Sequence, residues 1–469
     1  MENIFENINL GNYQEEELDL SISAFEVFKR IYSFEDNVFL LESLGEEGKY
    51  NRYSYVGFDP ILSITASSGE LIVNNRRIQS ENVFQELAAF SKLKSKGKDF
   101  CGGLVGYFSY EAIRYFEAGF ESYGTHEFPD FQFGLYLDGF KFVKKGQKCT
   151  YFHYGNSRLS KIMKIVNKSN SNLGKFSYKK LKNPENEKHK IMVNEALEEI
   201  KKGNIFQAVL SLRTDYQING DTRRIYANLR QINPSPYMIY LKNGNKEIIS
   251  ASPELLIRTK GKNLEHFGTL AGTIKRGINT KEDDQLKETL LHNEKELAEH
   301  YMLVDLARND VGKVAEFGSI TVDKLGSVKK FSKVQHLYSE IRGELAKDKN
   351  CFDALTACFP AGTLTGAPKI EAMKIIKRLE GKARGPYGGV AGYFSLNGDS
   401  MLAIVIRSLF THGNYAYTQT GSGIVLDSNA DSEFQEIINK QKGMEETLRQ
   451  ASAKPACRQA GADRQGKHL

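Results

Sequence analysis

The sequence is poor in the residues and patterns that mark several protein classes. It has no tryptophan, only ten prolines, and no apolar run near the ~20 residues that a membrane-spanning helix needs. The acidic N-terminal stretch lacks the apolar core of a signal peptide. What remains is an ordinary globular composition over 469 residues, which can bury a large core in two lobes or one elaborate domain.

Cysteines and charge exclude further classes. The five cysteines are scattered, with no C-x-x-C pair and no metal-ligand spacing, which is typical of reduced thiols in the cytoplasm. The net charge is only +6, and no basic run is interleaved with aromatic residues. The sequence therefore does not predict a nucleic-acid groove. We expect a cytoplasmic protein that binds neither membranes nor nucleic acids.

The pattern of apolar and polar residues divides the chain into four parts. Residues 1–155 mix short apolar runs with Gly and Asn turns, which predicts a strand-rich N-terminal domain. Residues 156–190 are polar and predict an exposed connecting segment. Residues 191–447 predict a second unit of helices and strands, and residues 448–469 predict a disordered tail.

Two local patterns make sharper predictions. Asn74-Asn75 between two apolar runs predicts a β-hairpin. Near the end of the second unit, residues 388–398, 401–410 and 415–425 predict three consecutive strands.

The last of these strands ends in Gly421-Ser422-Gly423, where bare backbone N–H groups can converge on an anion. A turn-forming run follows, and then a predicted helix. Ser432 with Gln435 predicts a capping box at the start of that helix.

This helix carries two carboxylates beside the anion cradle. Glu433, Glu436 and Lys440 are spaced to lie on one helical face. An anion site next to carboxylates is consistent with a divalent cation between them, because Mg²⁺ binds few carboxylates and leaves positions for ligand oxygens. The segment thus predicts a Mg²⁺-dependent site for a small carboxylate. A glycine turn followed by a solvated acidic helix is the open alternative.

Seven segments together resemble the chorismate-utilising enzyme family, most closely its anthranilate-forming large subunits. Each motif alone is weak, but the ordered set is highly specific and extends over residues 190–445, with an N-terminal domain of the family's kind before it. The segments are SPELLIR (252–258), LAGTIKRG (270–277), AEHYMLVDLARNDVG (298–312), KVQHLYSEIRGEL (333–345), FPAGTLTGAPKIEAMKII (359–376), GYFSLNGDSMLAIVIRS (392–408) and GSGIVLDSNADSEFQEIINK (421–440).

The resemblance implies an α+β fold with two orthogonally packed antiparallel β-sheets flanked by helices, and an active site between the sheets. It implies a lyase activity: Mg²⁺-dependent amination of chorismate at C2, followed by pyruvate elimination to anthranilate, at the start of tryptophan biosynthesis. The metal ligands would be Glu299 and Glu436, supported by Glu296 and Glu433.

The resemblance also assigns the substrate contacts. Glu254 would be the general acid for the C4 hydroxyl, with Thr363 beside it, and His336 would assist the loss of pyruvate. The residues implied in chorismate binding are Gly272, Thr273, Tyr387, Arg407, Gly421, Ser422, Gly423 and Lys440.

Two positions separate members of the family. Gln207 stands where water-adding isochorismate synthases carry a lysine, and Ala271 stands where aminodeoxychorismate synthases carry a nucleophilic lysine. Ammonia would then add directly to C2. None of the cysteines has the context of a glutaminase nucleophile, so a separate glutamine amidotransferase subunit is implied, in a heterodimer or heterotetramer.

A regulatory site is implied as well. Ser43, Pro236, Tyr237 and Met238 match the family's tryptophan feedback site. Two departures from the family pattern stand out. Thr269 replaces a proline and is expected to loosen its loop, and Met401 replaces an aspartate.

Three alternatives remain open at this point. The chain could be a 2-amino-2-deoxyisochorismate synthase that stops at the aminated intermediate. It could be an aminodeoxychorismate synthase that has lost its lysine. It could also be a non-catalytic tryptophan-binding module, which would not need Glu254, Glu299, His336, Arg407 and Glu436.

Overall fold

The computed structural model describes most of the chain in atomic detail. The residues it describes are 4–44, 52–120, 127–144, 148–168, 172–267, 269–330 and 334–453. The predicted disordered tail therefore lies outside the described residues from position 454 onward.

The first part of the chain is mainly strands, with short 3₁₀ helices at Ala89–Lys92 and Tyr110–Tyr115. Its strands and α-helices are β1 (Tyr13–Leu18), α1 (Ala24–Ile31), β2 (Asn37–Glu42), β3 (Tyr53–Phe58), β4 (Leu62–Ser67), β5 (Glu70–Val73), β6 (Arg76–Ile78), α2 (Val83–Ala88), β7 (Gly103–Phe108), β8 (Phe131–Tyr136), β9 (Asp138–Val143), β10 (Cys149–Tyr154), α3 (Leu159–Lys168) and β11 (Phe176–Lys182).

The second part contains the longer helices and a 3₁₀ turn at Gly362–Leu364. Its elements are α4 (Asn186–Lys201), β12 (Gln207–Gly220), α5 (Arg223–Ile232), β13 (Tyr237–Asn243), β14 (Lys246–Ser252), β15 (Leu255–Lys260), β16 (Asn263–His266), β17 (Ala271–Lys275), α6 (Thr280–Leu291), α7 (Glu294–Gly312), β18 (Thr321–Lys330), β19 (Val334–Glu344), α8 (Cys351–Cys358), β20 (Gly366–Ala367), α9 (Lys369–Glu380), β21 (Val390–Ser395), β22 (Ser400–Ile404), β23 (Ser408–His412), β24 (Tyr415–Ile424) and α10 (Ala430–Ser452).

These strands form two antiparallel sheets, which confirms the predicted α+β class. Sheet I has the order β1-β10-β9-β3-β2-β13-β14-β23-β24-β12-β11, with β20 pairing beside β12. Sheet II has the order β17-β19-β16-β15-β22-β21-β7-β8-β4-β5-β6, with β18 pairing beside β19. Both sheets contain strands from both parts of the chain, joined by the β2–β13 and β7–β21 pairs.

The predicted hairpin is present, but other local predictions need correction. Asn74 and Asn75 both have positive φ, as a type I′ turn between β5 and β6 requires. The strand predicted over 401–410 is wrong as a single strand. It is β22 in sheet II and β23 in sheet I, because the chain crosses between sheets at Val405–Arg407.

Two predicted segments contain regular structure. The segment 156–190, predicted to be an exposed connection, holds α3, the sheet-edge strand β11 and the first turn of α4. At the other end, α10 continues to Ser452, past the predicted start of the disordered tail at position 448.

The largest hydrophobic cluster joins the two sheets. Phe39 of sheet I meets Tyr136 of sheet II in an edge-to-face contact, with ring centroids 4.8 Å apart. A second cluster packs α1, α5 and α10 on sheet I, and a third joins α4 and α9 to β12. Helix α7 packs on β19. Among the helices of the described residues, none is long and apolar enough to cross a membrane.

A buried aromatic pair tests this core. Phe352 of α8 is 2% exposed and stacks on Phe394 with ring centroids 4.1 Å apart. Phe352→Ala should lower the free energy of unfolding by about 3–5 kcal/mol, because a cavity remains. Phe317→Ala is the matched control: this ring is fully exposed, and the expected change is within about 0.5 kcal/mol. Denaturant unfolding measures both, and equal losses would contradict the packing described.

Candidate active site

Two candidate site residues lie where the chain passes from one sheet to the other. Glu254 links β14 of sheet I to β15 of sheet II, and Arg407 links β22 of sheet II to β23 of sheet I. The two crossings are neighbours, since the N–H of Ile404 donates to the carbonyl of Glu254 at 3.0 Å. Arg407 has a positive φ of 54°. Residues other than glycine rarely adopt this backbone conformation, and it is often found at functional sites.

Glu254 is a buried carboxyl with few compensating partners. It is 4% exposed, and burial raises its pKa to about 7. The Thr363 hydroxyl donates to its Oε1 at 2.9 Å, which lowers the pKa, as do the Leu270 N–H and the charges of Lys440 and Lys329. At neutral pH a substantial fraction of Glu254 is therefore protonated and able to donate a proton.

His336 lies opposite the strand that carries Gly272 and Thr273. Its Nδ1 is 2.9 Å from the carbonyl of Gly272 and 3.1 Å from the Thr273 hydroxyl. A carbonyl only accepts, so Nδ1 carries the proton and Nε2 is the basic nitrogen of the neutral ring. Burial lowers the pKa of His336 to about 4, and it is neutral at pH 7.

Four carboxylates face one another from two helices. Glu296 and Glu299 lie on α7, and Glu433 and Glu436 lie on α10. Burial first, and then the charge of neighbouring carboxylates, raises the pKa of Glu296, Glu299 and Glu433.

Protein donors contact this group in only a few places. The Gln207 amide donates to Glu299 at 2.7 Å, and the Ser428 hydroxyl donates to Glu433 at 2.7 Å. Lys440 pairs with Glu436 at 2.5 Å and donates to the carbonyl of Gly421 at 2.9 Å. Lys440 is the one cation in a salt bridge with these carboxylates in the described structure, while Lys295 and Arg407 act on Glu296 and Glu436 through their charge without a salt bridge.

This donor set fits a hard divalent cation. Partly buried carboxylates that repel one another are stabilised by an ion with oxygen ligands, and Glu299 and Glu436 would hold it. In the described residues no three His, Cys, Asp or Glu side chains are already close enough to ligate a metal. One oxygen of Glu436 is paired with Lys440.

The predicted capping box of Ser432 with Gln435 is wrong. Asn429 caps α10, accepting from the N–H groups of Asp431 at 3.1 Å and Ser432 at 3.2 Å. Asparagine is as good an N-cap as serine, so the helix begins earlier than predicted. The spacing of the two α10 glutamates on one face does not depend on this change.

A side chain at either glycine near the end of β24 would crowd its polar neighbours. A Cβ on Gly421 would lie 2.9 Å from the Tyr387 hydroxyl oxygen, and a Cβ on Gly423 would lie 2.7 Å from Gln207 Nε2. Ser422 between them is fully buried. A Cβ on Gly272, whose φ is 60°, would lie 2.9 Å from Glu296 Oε2, so the start of β17 lies beside the carboxylates.

The cationic residues lie close to the same groups. Burial lowers the pKa of Arg407, while Tyr387 and Glu436 oppose that effect. The charges of Arg407 and Lys440 in turn lower the pKa of His336. The catalytic, substrate and metal residues predicted from the sequence thus lie at one site, although their individual roles stay predictions.

The predicted tryptophan residues form a separate cavity of about 120 Å³ between the sheets. Ser43, Pro236, Tyr237 and Met238 all line it. The Ser43 hydroxyl is buried there and has no hydrogen-bond partner among the described residues. Other lining residues are Glu42, Tyr55, Arg258, Tyr393 and Met401.

The structure also shows what sequence reasoning missed. Gln207 was used only to distinguish family members, yet its amide holds Glu299 directly. Thr269 does not loosen its loop through lost contacts, because its buried hydroxyl donates to the carbonyl of Ser339 at 2.7 Å. Met401, which stands where the family carries an aspartate, lines the cavity formed by the predicted tryptophan-binding residues.

Known proteins are similar to this chain in sequence and in fold. The family model described as chorismate binding enzyme matches residues 36–446. An anthranilate synthase component 1 from Methanothermobacter thermautotrophicus is 44% identical, over 93% of this chain and 94% of its own length. One from Leptospira biflexa is 41% identical, over 93% and 96%. The crystal structure of anthranilate synthase component I from Streptococcus pneumoniae has 34% identity and a TM-score of 0.73, over 85% of this chain and 93% of that chain.

A more distant structure shares the fold alone. The menaquinone-specific isochorismate synthase from Escherichia coli has a TM-score of 0.74 at 20% identity, over 93% of this chain and 94% of that chain. With the fold and the matched residues in agreement, the chain belongs to the chorismate binding enzyme family. Within that class, its resemblance to anthranilate synthase component 1, predicted from the ordered motifs, is confirmed.

Burial of Glu254 predicts a pH-dependent stability. Its pKa is about 7 when folded against 4.5 when exposed, so the unfolded chain releases this proton first as the pH rises. Between these pH values the wild type should lose about 3 kcal/mol of unfolding free energy relative to Glu254→Gln, which does not titrate. Urea unfolding across this range measures the difference, and a constant difference would contradict the raised pKa.

Proposed function

We propose that this chain is the large subunit of an anthranilate synthase. It aminates chorismate at C2 with ammonia and then eliminates pyruvate to give anthranilate. The single observation that carries the proposal is the carboxylate group of α7 and α10 beside the glycine-rich end of β24, next to a protonatable Glu254. The names of relatives 41–44% identical over almost the whole chain support it.

The substrate's two carboxylates have distinct partners in this proposal. Backbone N–H groups of Gly421–Gly423 bind the ring carboxylate, and the Arg407 fork with the Tyr387 hydroxyl binds the enolpyruvyl carboxylate. A bound Mg²⁺ ion would neutralise the ring carboxylate and draw electron density from the diene. Glu299 and Glu436 would hold that ion, with Glu296 and Glu433 as supporting or water-mediated ligands.

Proton transfers use the two buried titratable groups. Glu254, with its pKa raised to about 7, donates a proton to the departing C4 hydroxyl. His336, neutral at pH 7, accepts a proton at Nε2 during the loss of pyruvate. Thr363 orients the acid and the Gly272 carbonyl orients the base.

Two neighbours of the cleft favour direct attack by ammonia. Ala271, at the start of β17, has no nucleophile to offer in place of ammonia. Gln207 is no base, and its amide is engaged with Glu299. Ammonia would come from a separate glutamine amidotransferase subunit, with ammonium salts as the substitute in its absence.

Tryptophan would act through the cavity lined by Ser43, Pro236, Tyr237 and Met238. This cavity is separate from the candidate active site, so inhibition would require that tryptophan favour a less active conformation. The orphaned Ser43 hydroxyl and the aromatic lining suit an amino acid with a large ring.

Product identification tests the proposal and separates the alternatives. Purified protein with chorismate, Mg²⁺ and ammonium at alkaline pH should form fluorescent anthranilate and one pyruvate for each. A 2-amino-2-deoxyisochorismate product without pyruvate would indicate the synthase that stops at the intermediate. A 4-amino product would indicate an aminodeoxychorismate synthase, and no turnover would indicate a non-catalytic module.

Two variants should separate the metal site from the tryptophan site. Glu436→Ala removes a proposed ligand, so we expect Mg²⁺ binding and turnover to be lost while tryptophan binding persists. Ser43→Phe fills the other cavity, so tryptophan binding should be lost while Mg²⁺ binding and turnover persist. Calorimetry with each ligand and an anthranilate assay measure these effects. Unchanged Mg²⁺ binding in Glu436→Ala would remove the metal assignment.

A further inference from the structure

Lys369 is a buried lysine that the proposed chemistry does not use. It is 8% exposed, and its ammonium donates to Asp310 Oδ2 at 2.5 Å and to the Cys358 carbonyl at 3.0 Å. Asp310 is 2% exposed and also accepts from Lys313 at 3.1 Å. The contact with Cys358 closes the loop that runs from the end of α8 to the start of α9.

That loop touches the candidate site twice. Thr363 at its middle donates to Glu254, the proposed general acid. Its last residues form β20, where Ala367 pairs with Gln207, and the Gln207 amide holds Glu299. Asp310 is itself on α7, the helix of Glu299. Lys369 therefore joins both ends of the loop to the helix that carries the α7 carboxylates.

We propose that the Lys369–Asp310 pair is a positioning device that holds the Thr363 hydroxyl against Glu254. The inference rests on the proposed role of Glu254 as general acid. Burying two charges is costly, and a well-packed apolar pair is often at least as stable. The ion pair would thus contribute by fixing the position of the loop, because an apolar pair has no directional contacts that would fix it.

The pair should influence how Glu254 titrates. The groups that face Glu254 are the Thr363 hydroxyl, the Leu270 N–H and the charges of Lys440 and Lys329, and all of them lower its pKa. If the loop shifts, the Thr363 hydrogen bond is lost and the pKa of Glu254 rises further. Because the acid must be protonated to act, the alkaline limb of the kcat profile should then move to higher pH.

The test compares variants of the full chain by their pH profiles. Lys369→Met with Asp310→Leu replaces the pair by apolar side chains and leaves no buried charge unpaired, because Lys313, which also contacts Asp310, is half exposed. Thr363→Val removes the hydroxyl alone. We expect both to shift the alkaline limb upward, and to lower kcat by ~10-fold or more with a less than twofold change in the chorismate KM. Combining all three substitutions should add no further shift, because both act through one hydrogen bond.

The outcomes are distinguishable. The inference would be overturned if the folded double variant kept the alkaline limb of its kcat profile at the wild-type pH. It would also be overturned if the shift of that limb in the triple variant were the sum of the shifts in the double variant and in Thr363→Val. Lys369→Gln, which keeps donors towards Asp310 and Cys358, is the second variant if the double variant does not fold. It should show a smaller shift in the same direction, and no shift would equally overturn the inference. Failure of the wild type to form anthranilate would refute the proposed function instead.

Discussion

Electrostatic repulsion among four carboxylates is the constraint on which the rest of this site depends. Glu296 and Glu299 of α7 face Glu433 and Glu436 of α10, and burial first, then the charge of neighbouring carboxylates, raises the pKa of three of them. Partly buried carboxylates of this kind take up protons or are compensated by cations and hydrogen-bond donors. Lys440 compensates in part, and the remaining negative charge supports the divalent ion that we propose.

The geometry that brings the other groups to these carboxylates comes from the two sheets. The chain passes between them at Glu254 and again at Arg407, at adjacent points. An acid and a cation therefore lie at neighbouring crossings without either being part of a regular ladder. Glu254 and His336 are both buried, and burial shifts their pKa values in opposite directions, towards a proton donor and a neutral base.

The sequence allowed the fold class, the face of α10 and the family to be predicted, because local periodicity and ordered motifs carry that information. It did not reveal the break at Val405–Arg407, since the apolar run continues while its pairing partners change sheet. Strand β11 was missed because it is a lysine-rich sheet edge, and such edges look like exposed connections. The roles of Gln207 and Lys369 depend on contacts between distant segments, which no local pattern shows.

Crystals of the protein soaked with Mn²⁺, a surrogate for Mg²⁺ that scatters anomalously, would test the central claim most directly. The account predicts an anomalous peak between Glu299 and Glu436. A cleft without a peak at saturating Mn²⁺, or a peak away from both helices, would contradict it.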